Sequence, residues 1–367
     1  MKPRLAIVLA ICVLSALSTQ RLVAQDQASS QVRSEIERLR KSLKDKPVTA
    51  PDFVQANSMV EDALKAAVGA LDIGHLYNSL EHLNQASGLL QGARVAEEKA
   101  GAVQSGLPAF EAEWNKASLQ LTALDEKARK QDWSRAPLAL RSLAEAAQGR
   151  SVPLLDGSRG FATSTKPSDG LFYMGQAQAE AEFAKFCASL SLARKPEPFP
   201  LRSFLPELQK LQEKTNAAFQ PPKSIDQHSR FIALNSALKL AQELDSSKLY
   251  AGALYQYLDA TRQYGMLEGA VPDPSKQGAL KQAIAAAQNK LEESQRDDSI
   301  AQIFLERAAS YTAHPDGSAP STDEWKSAQL ILDQVLPAYF AAEKPAAPLL
   351  RASGKTVDIT LVRWPYT

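Results

Sequence analysis

Two of the chain's four histidines lie seven residues apart in "LDIGHLYNSLEHL" at 71–83, and regularly spaced imidazoles are the first place to look for metal or acid–base chemistry. On one helix His75 and His82 stand about 10.5 Å apart along the axis, whereas a single metal needs every donor within roughly 2 Å. They cannot chelate one ion together. Asp72 and His75 could share an ion at three-residue spacing, but only His228 and His314 remain as further histidines, and no HExxH, CxxCH or paired ExxH pattern is present. The sequence therefore predicts no metal site and no bound cofactor.

Other catalytic signatures are equally missing from the letters. There is no GxSxG elbow, no GxxxxGK[ST] or GxGxxG phosphate loop, and no cysteine–histidine pairing in order. Cys187 sits among Phe183, Phe186 and Leu190, the setting of a buried and inert thiol. The acids of "AEEK" and "LEES" occupy solvated helical faces. No catalytic residue is expected, and the reading leans away from an enzyme.

One aromatic pattern does point to binding. Tyr250, Tyr257 and Tyr264 recur every seven residues, and a tyrosine stripe suits either helix packing or a groove that is apolar at depth and wet at its rim. In the related stretch upstream only Tyr77 is aromatic. These four tyrosines are the candidate partner- or ligand-binding residues.

The elements that must position them are helical. Apolar residues recur at 3.6-residue spacing almost throughout: Val32, Ile36, Leu39 and Leu43; then Val60, Leu64, Ala67 and Leu71; then Leu76, Leu80, Leu83 and Leu90; then Phe110, Trp114, Ala117, Leu121 and Leu124. A fifth helix is predicted over 133–148, followed by a long loop "GRSVPLLDGSRGFATSTKPSDG". A sixth over 171–190 has two apolar faces, one of alanines, and should pack on both sides. This is an all-α chain. Only the tail "KTVDITLVRWPYT" at 355–367 alternates with period two, so 356–363 is expected to be a short strand, with the loop around Phe161–Thr165 as its nearest internal partner.

The N-terminus reads as a signal peptide, with basic "MKPR" ahead of the thirteen-residue apolar run "LAIVLAICVLSAL", too short to span a bilayer of about 20 residues. Cleavage after Ser18 or Ala24 fits. The latter removes Lys2, Arg4 and Arg21, which takes 42 basic residues to 39 against 41 acidic. Such a balance excludes a basic footprint for nucleic acid. Cys12 leaves with the signal, so Cys187 has no intramolecular disulfide partner. Export to a bacterial periplasm is expected, with no transmembrane span after cleavage.

The pattern restarts after the proline-rich linker 194–202. "ALKAAVGALDIGHLYNSLEHLNQA" at 63–86 matches "ALKLAQELDSSKLYAGALYQYLDA" at 237–260, "AFEAEWNK" at 109–116 matches "AIAAAQNK" at 283–290, and weaker matches flank both. This predicts two tandem related six-helix units, 25–193 and 203–342, after a signal at 1–24 and before a tail at 343–367. In this alignment His75 falls opposite Lys248 and His82 opposite Gln256.

Within each unit the rhythm of helix, short turn and "LY" or "DW" resembles tetratricopeptide-like helical hairpins over Leu64–Leu90, Leu121–Ala147 and Leu238–Tyr264, without their period of about 34 residues. That resemblance implies a curved array binding a partner along its concave face. The function expected is an exported, non-catalytic scaffold for a protein or peptide partner in the cell envelope. The alternative is a small-ligand protein with its pocket between the two units.

Overall fold

The computed structural model describes residues 26–164, 166–219, 227–269, 274–314 and 318–344. The described residues are 80% helix and 1% strand, as the periodicity requires. Helix α1 covers residues 26–45. It is followed by α2 (Ala56–Asp72), α3 (Leu76–Lys99), α4 (Leu107–Arg129), α5 (Leu138–Ser164) and α6 (Pro167–Ser189). The second half carries α7 (Leu205–Ala218), α8 (His228–Ser246), α9 (Tyr250–Glu268), α10 (Gln277–Glu293), α11 (Ser299–Ser310), α12 (Thr322–Leu330) and α13 (Leu336–Ala341). Among these residues no helix is long and apolar enough to cross a membrane.

The predicted loop after residue 148 is helix instead, since α5 runs unbroken to Ser164. Its buried stripe continues through Ser151, Leu155, Ser158 and Ala162, and packing against α6 and α4 outweighs the local preference of Gly149, Pro153, Gly157 and Gly160 for turns. Pro153 removes only the bond to the carbonyl of Gly149. Consequently Phe161–Ser164 is helical and cannot pair with a strand. The tail at 356–363 lies outside the described residues. Within the proline-rich connection, Glu197–Pro198 forms β1, which pairs in parallel with β2 at Arg296–Asp297 in the register Glu197 to Arg296. A two-residue ladder leaves no alternation to read.

Between α12 and α13 the helix widens into a π turn at Ile331–Val335. Pro337 explains it, because its ring has no N–H and collides with the carbonyl four residues earlier, so the preceding turn opens.

Apolar burial divides into one core shared by both halves and two satellites. The shared core runs from Ala28 in α1 to Ala342 after α13 and includes Leu80, Leu140, Leu254 and Phe304, all fully buried. One satellite lies among α3, α4, α5 and α6 around Phe110 and Met174. The other lies among α7, α8 and α9 around Leu208 and Leu234. Helix α6 packs on α3, α4 and α5, and its Ala177, Ala179 and Ala184 are buried. Phe183 is buried in the shared core, whereas Phe186 lies only partly buried at its edge. Cys187 is fully buried, and burial raises its thiol pKa.

Phe183→Ala is expected to destabilise the fold by about 3–5 kcal/mol, and Phe186→Ala by about 1–2 kcal/mol. Urea denaturation of the two variants checks the ordering.

Candidate functional site

The halves meet through their helix ends. The first amides of a helix have no partner inside it, so a buried helix start needs acceptors from elsewhere. At α3, the N–H groups of Tyr77 and Asn78 donate to one oxygen of Glu306 on α11, at 2.8 and 3.0 Å. At α9, the N–H of Gly252 donates to Glu145 on α5 at 2.8 Å, and the N–H of Ala251 adds a second bond. Each carboxylate thus caps the second and third residues of a helix in the opposite half. Gly252 is required there, since a Cβ would lie 2.7 Å from Cβ of Glu145.

The helices that carry these glutamates also begin together. Asp297 accepts from the N–H of Leu138 at 3.0 Å and from the hydroxyl of Ser299 at 2.5 Å, while Ser299 accepts from the N–H of Ala139 at 2.9 Å. One aspartate and one serine therefore serve the starts of both α5 and α11. Burial raises the Glu145 carboxyl against the pull of Arg141. Burial likewise pushes Glu306 up to about 8, opposed by the two backbone donors.

The turns that lead into α3 and α9 match atom for atom. His75 N–H bonds to the carbonyl of Ala70 and Gly74 N–H to that of Leu71; Leu249 N–H bonds to Leu244 and Lys248 N–H to Asp245. These are Schellman turns, whose closing residue must take a left-handed conformation. Gly74 does so at φ 81, and Lys248 does so at φ 63. The structural register thus places Gly74, not His75, opposite Lys248, and His75 opposite Leu249. The "LY" dipeptides align in sequence one residue away from where the turns align in space.

Between α3 and α9 runs a polar groove of about 720 Å³. Of its lining, Arg150 pairs with Glu180, and Tyr255 and Asp259 are held by Arg307 and Glu81 next to the groove. Arg307 reaches Glu81, Asp259 at 2.9 Å and the hydroxyl of Tyr255 at 2.8 Å, and Tyr255 donates to Glu81 at 2.6 Å. Arg150 holds Glu180 through two bonds of 2.9 Å. Burial alone would raise the Asp259 carboxyl, but Arg262 and Arg307 hold it well below the usual range. Ion pairs this buried fix geometry and lose several kcal/mol when one partner is removed.

A second cleft, of about 660 Å³, has the opposite character. Its walls are the end of α4, the α4–α5 loop, α5 and α6, and it is closed by the α8–α9 turn of the other half. Six cationic side chains line it, Lys127, Arg129, Arg141, Lys185, Arg194 and Lys248, against two acids, Asp132 and Glu145. Both acids are engaged: Glu145 with Arg141 and the start of α9, Asp132 with the N–H of Ser134 at 2.8 Å. Trp133, partly buried, is the aromatic residue of the cleft lining. Its loop is fixed by the bond from Arg194 to the carbonyl of Ser134 at 3.0 Å. Among the described residues the ammonium groups of Lys127 and Lys248 have no ion-pair partner.

The tyrosines expected to bind are elsewhere. Tyr250 and Tyr257 are partly buried against the shared core, and Tyr257 and Tyr264 pack onto the α7–α8 satellite. Burial and Glu268 raise the Tyr264 phenol to about 12. Tyr77 is buried and hydrogen-bonded to Ser299. None of the four lines either cleft. Tyr255, two positions before Tyr257, is the tyrosine in the polar groove, and its different helix face could be recognised only once the neighbours of α9 were known.

The histidines are also apart. His75 precedes α3 with a buried Nδ1 that has no partner. His82 lines a cavity of about 380 Å³ with His314 and Glu324. Burial lowers both the His75 and His82 pKa values. His314 bonds to Ser318 at 2.7 Å and to Glu324 at 2.9 Å, but the other oxygen of Glu324 accepts from Ser321 in the capping box that opens α12. Among the described residues no group of three or more histidine, cysteine, aspartate or glutamate side chains could hold a metal ion.

Because the folded pKa of Glu306 lies above the ordinary glutamate value of 4.5, the proton stabilises the folded state. That contribution is complete below pH 4.5 and is lost as pH rises towards about 8. Glu306→Gln, which keeps an acceptor oxygen, should flatten this decline in thermal melts taken across that window. Lys248→Gly should stabilise the fold by about 0.5–1 kcal/mol, since glycine relieves the left-handed strain at a small entropic cost; urea titration reads it directly. No family model matches this chain, and neither the curated proteins nor the solved structures offer a significant match.

Proposed function

We propose that this chain is an exported binding protein of the bacterial cell envelope whose ligand occupies the cationic cleft where the first half meets the α8–α9 turn. The observation that carries it is the joint construction of that cleft. Three walls come from α4, α5 and α6, and the fourth from a turn in the other half, which the Glu145 cap holds in place. A volume of about 660 Å³ falls in the range of small-ligand sites, roughly 300–1,000 Å³. The bounded shape favours a small ligand between the halves over an extended peptide on a concave surface. Export rests on the N-terminal pattern, which lies in residues outside those described.

The same reading treats the chain as two related six-helix units. Its supports are the matched Schellman turns, the reciprocal Glu145 and Glu306 caps at equivalent helix positions, and the pairing of α2 with α3 and α8 with α9. In such a duplication the ligand cleft would belong to one side only, since Lys248 stands where the other unit has Gly74.

Ala188 lines the cleft and is partly exposed, so Ala188→Trp fills the space without entering the core. A thermal-shift screen of small molecules against the mature protein should give compounds that raise the melting temperature; a ligand at about 100 times its Kd adds about 2.7 kcal/mol. The shift should vanish in Ala188→Trp while the unliganded melting temperature stays within a few degrees. Equal shifts in both proteins would place the ligand elsewhere. A protein or peptide recovered stoichiometrically with both would favour the scaffold reading.

A further inference from the structure

Resting on the cleft assignment above, we infer that its ligand is a small organic anion carrying a flat apolar body. Three independent features of the site lead there.

The first is charge. The cleft gathers six cations and two acids; Arg129, Arg141, Lys185 and Arg194 are paired with Asp125, Glu145, Glu182 and Asp297, and the ammonium groups of Lys127 and Lys248 are left without an ion-pair partner among the described residues. The α3–α9 groove a short distance away shows that this chain can balance buried charge residue by residue. In the cleft the two lysines face each other from opposite walls without such a partner. A cleft with low-dielectric walls and one sign of charge concentrates ligands of the opposite sign.

The second is the backbone at Lys248. A left-handed turn position takes glycine at least strain, and the matching turn uses Gly74. A lysine kept there, on the lip of the cationic cleft and without an ion pair among the described residues, is the pattern of strain retained for a side chain's contribution. Lys127, on the facing wall from α4, is the second unpaired ammonium. An anion between the two walls would bridge the halves.

The third is the apolar lining. Ala144, Ala181, Ala184 and Ala188 form a floor of small side chains beside Trp133. Small residues leave room for a planar group, and an indole offers a face on which it can stack. The indole N–H of Trp114 donates to the carbonyl of Leu155 at 2.9 Å, whereas that of Trp133 has no acceptor among the described residues. A bare inorganic anion would use the lysines and leave this surface wet.

The test uses naphthalene-2-sulfonate and 2-naphthoate as probes, each beside its neutral amide, with inorganic phosphate and the benzyltrimethylammonium cation as controls, titrated calorimetrically into the full mature protein. Both anions are expected to bind at least about tenfold more tightly than their amides. Their affinity should fall when salt rises from about 50 to about 500 mM, because the lysines at the rim are screened. Lys248→Gly should weaken both anions by about threefold or more while leaving the amides unchanged. Its melting temperature should be unchanged or higher, which separates lost charge from lost fold. Trp133→Leu should weaken anions and amides together.

Equal binding of anions and amides would overturn the anionic assignment and leave the cleft as a ligand site. Phosphate binding as tightly as the naphthalene anions would overturn the flat apolar body. Lys248→Gly without effect on the anions would remove the turn from the site. If no anion binds and the wider screen also yields no compound sensitive to Ala188→Trp, both this inference and the cleft assignment fail.

Discussion

Two buried glutamates, each reaching across the molecule to the opening amides of a helix in the other half, constrain everything else in this fold. Unpaired helix amides cannot be buried without a cost of about 1–3 kcal/mol each, and α3 and α9 both start inside the protein. Glu306 and Glu145 supply the acceptors. Since each acceptor comes from the opposite half, neither half satisfies its own hairpin helix. Their shared core, continuous from α1 to α13, follows from the same exchange.

Once the caps are placed, the remaining contacts have little freedom. Helices α5 and α11 start side by side on Asp297 and Ser299, each with its capping glutamate seven residues later. That puts α9 against α5 and α3 against α11, and it sets α3 and α9 facing each other across the polar groove, where Tyr255 of one bonds to Glu81 of the other. The burial of so many charged groups does little for net stability, because desolvation offsets most of the attraction. Its effect is specificity: a shifted register would strand Arg307, Glu81 and Asp259 without partners.

The cationic cleft is a by-product of that arrangement with consequences of its own. Glu145 binds the start of α9 with one oxygen and Arg141 with the other, so the residue that docks the second half also shapes the cleft wall. The turn bearing Lys248 stands over the first half because α9 is capped there. Arg194 extends the coupling, bonding the loop of Trp133 on one side and lying 3.3 Å from Asp297 on the other. The cleft and the junction between halves are thus built from the same few side chains.

Much of this was legible in the sequence and some was not, for physical reasons. The helical class, the face each helix buries and the central place of α6 follow from 3.6-residue apolar spacing, because burial of a stripe is decided locally by which side chains share a face. The similarity of 63–86 to 237–260 was visible for the same reason, and it misplaced His75 by one residue because letters align on "LY" while backbones align on the left-handed turn. The continuation of α5 past Pro153 was hidden, since its own residues favour a loop and only contacts from α6 and α4 overrule them. Tyr255 and the charged lining of the cleft were hidden too. Lysines and arginines spread from 127 to 248 look like ordinary solvated positions in one dimension. The packing of α4, α5 and α6 brings five of them around one space, and the α8–α9 turn, held by the Glu145 cap, adds Lys248 from the other half.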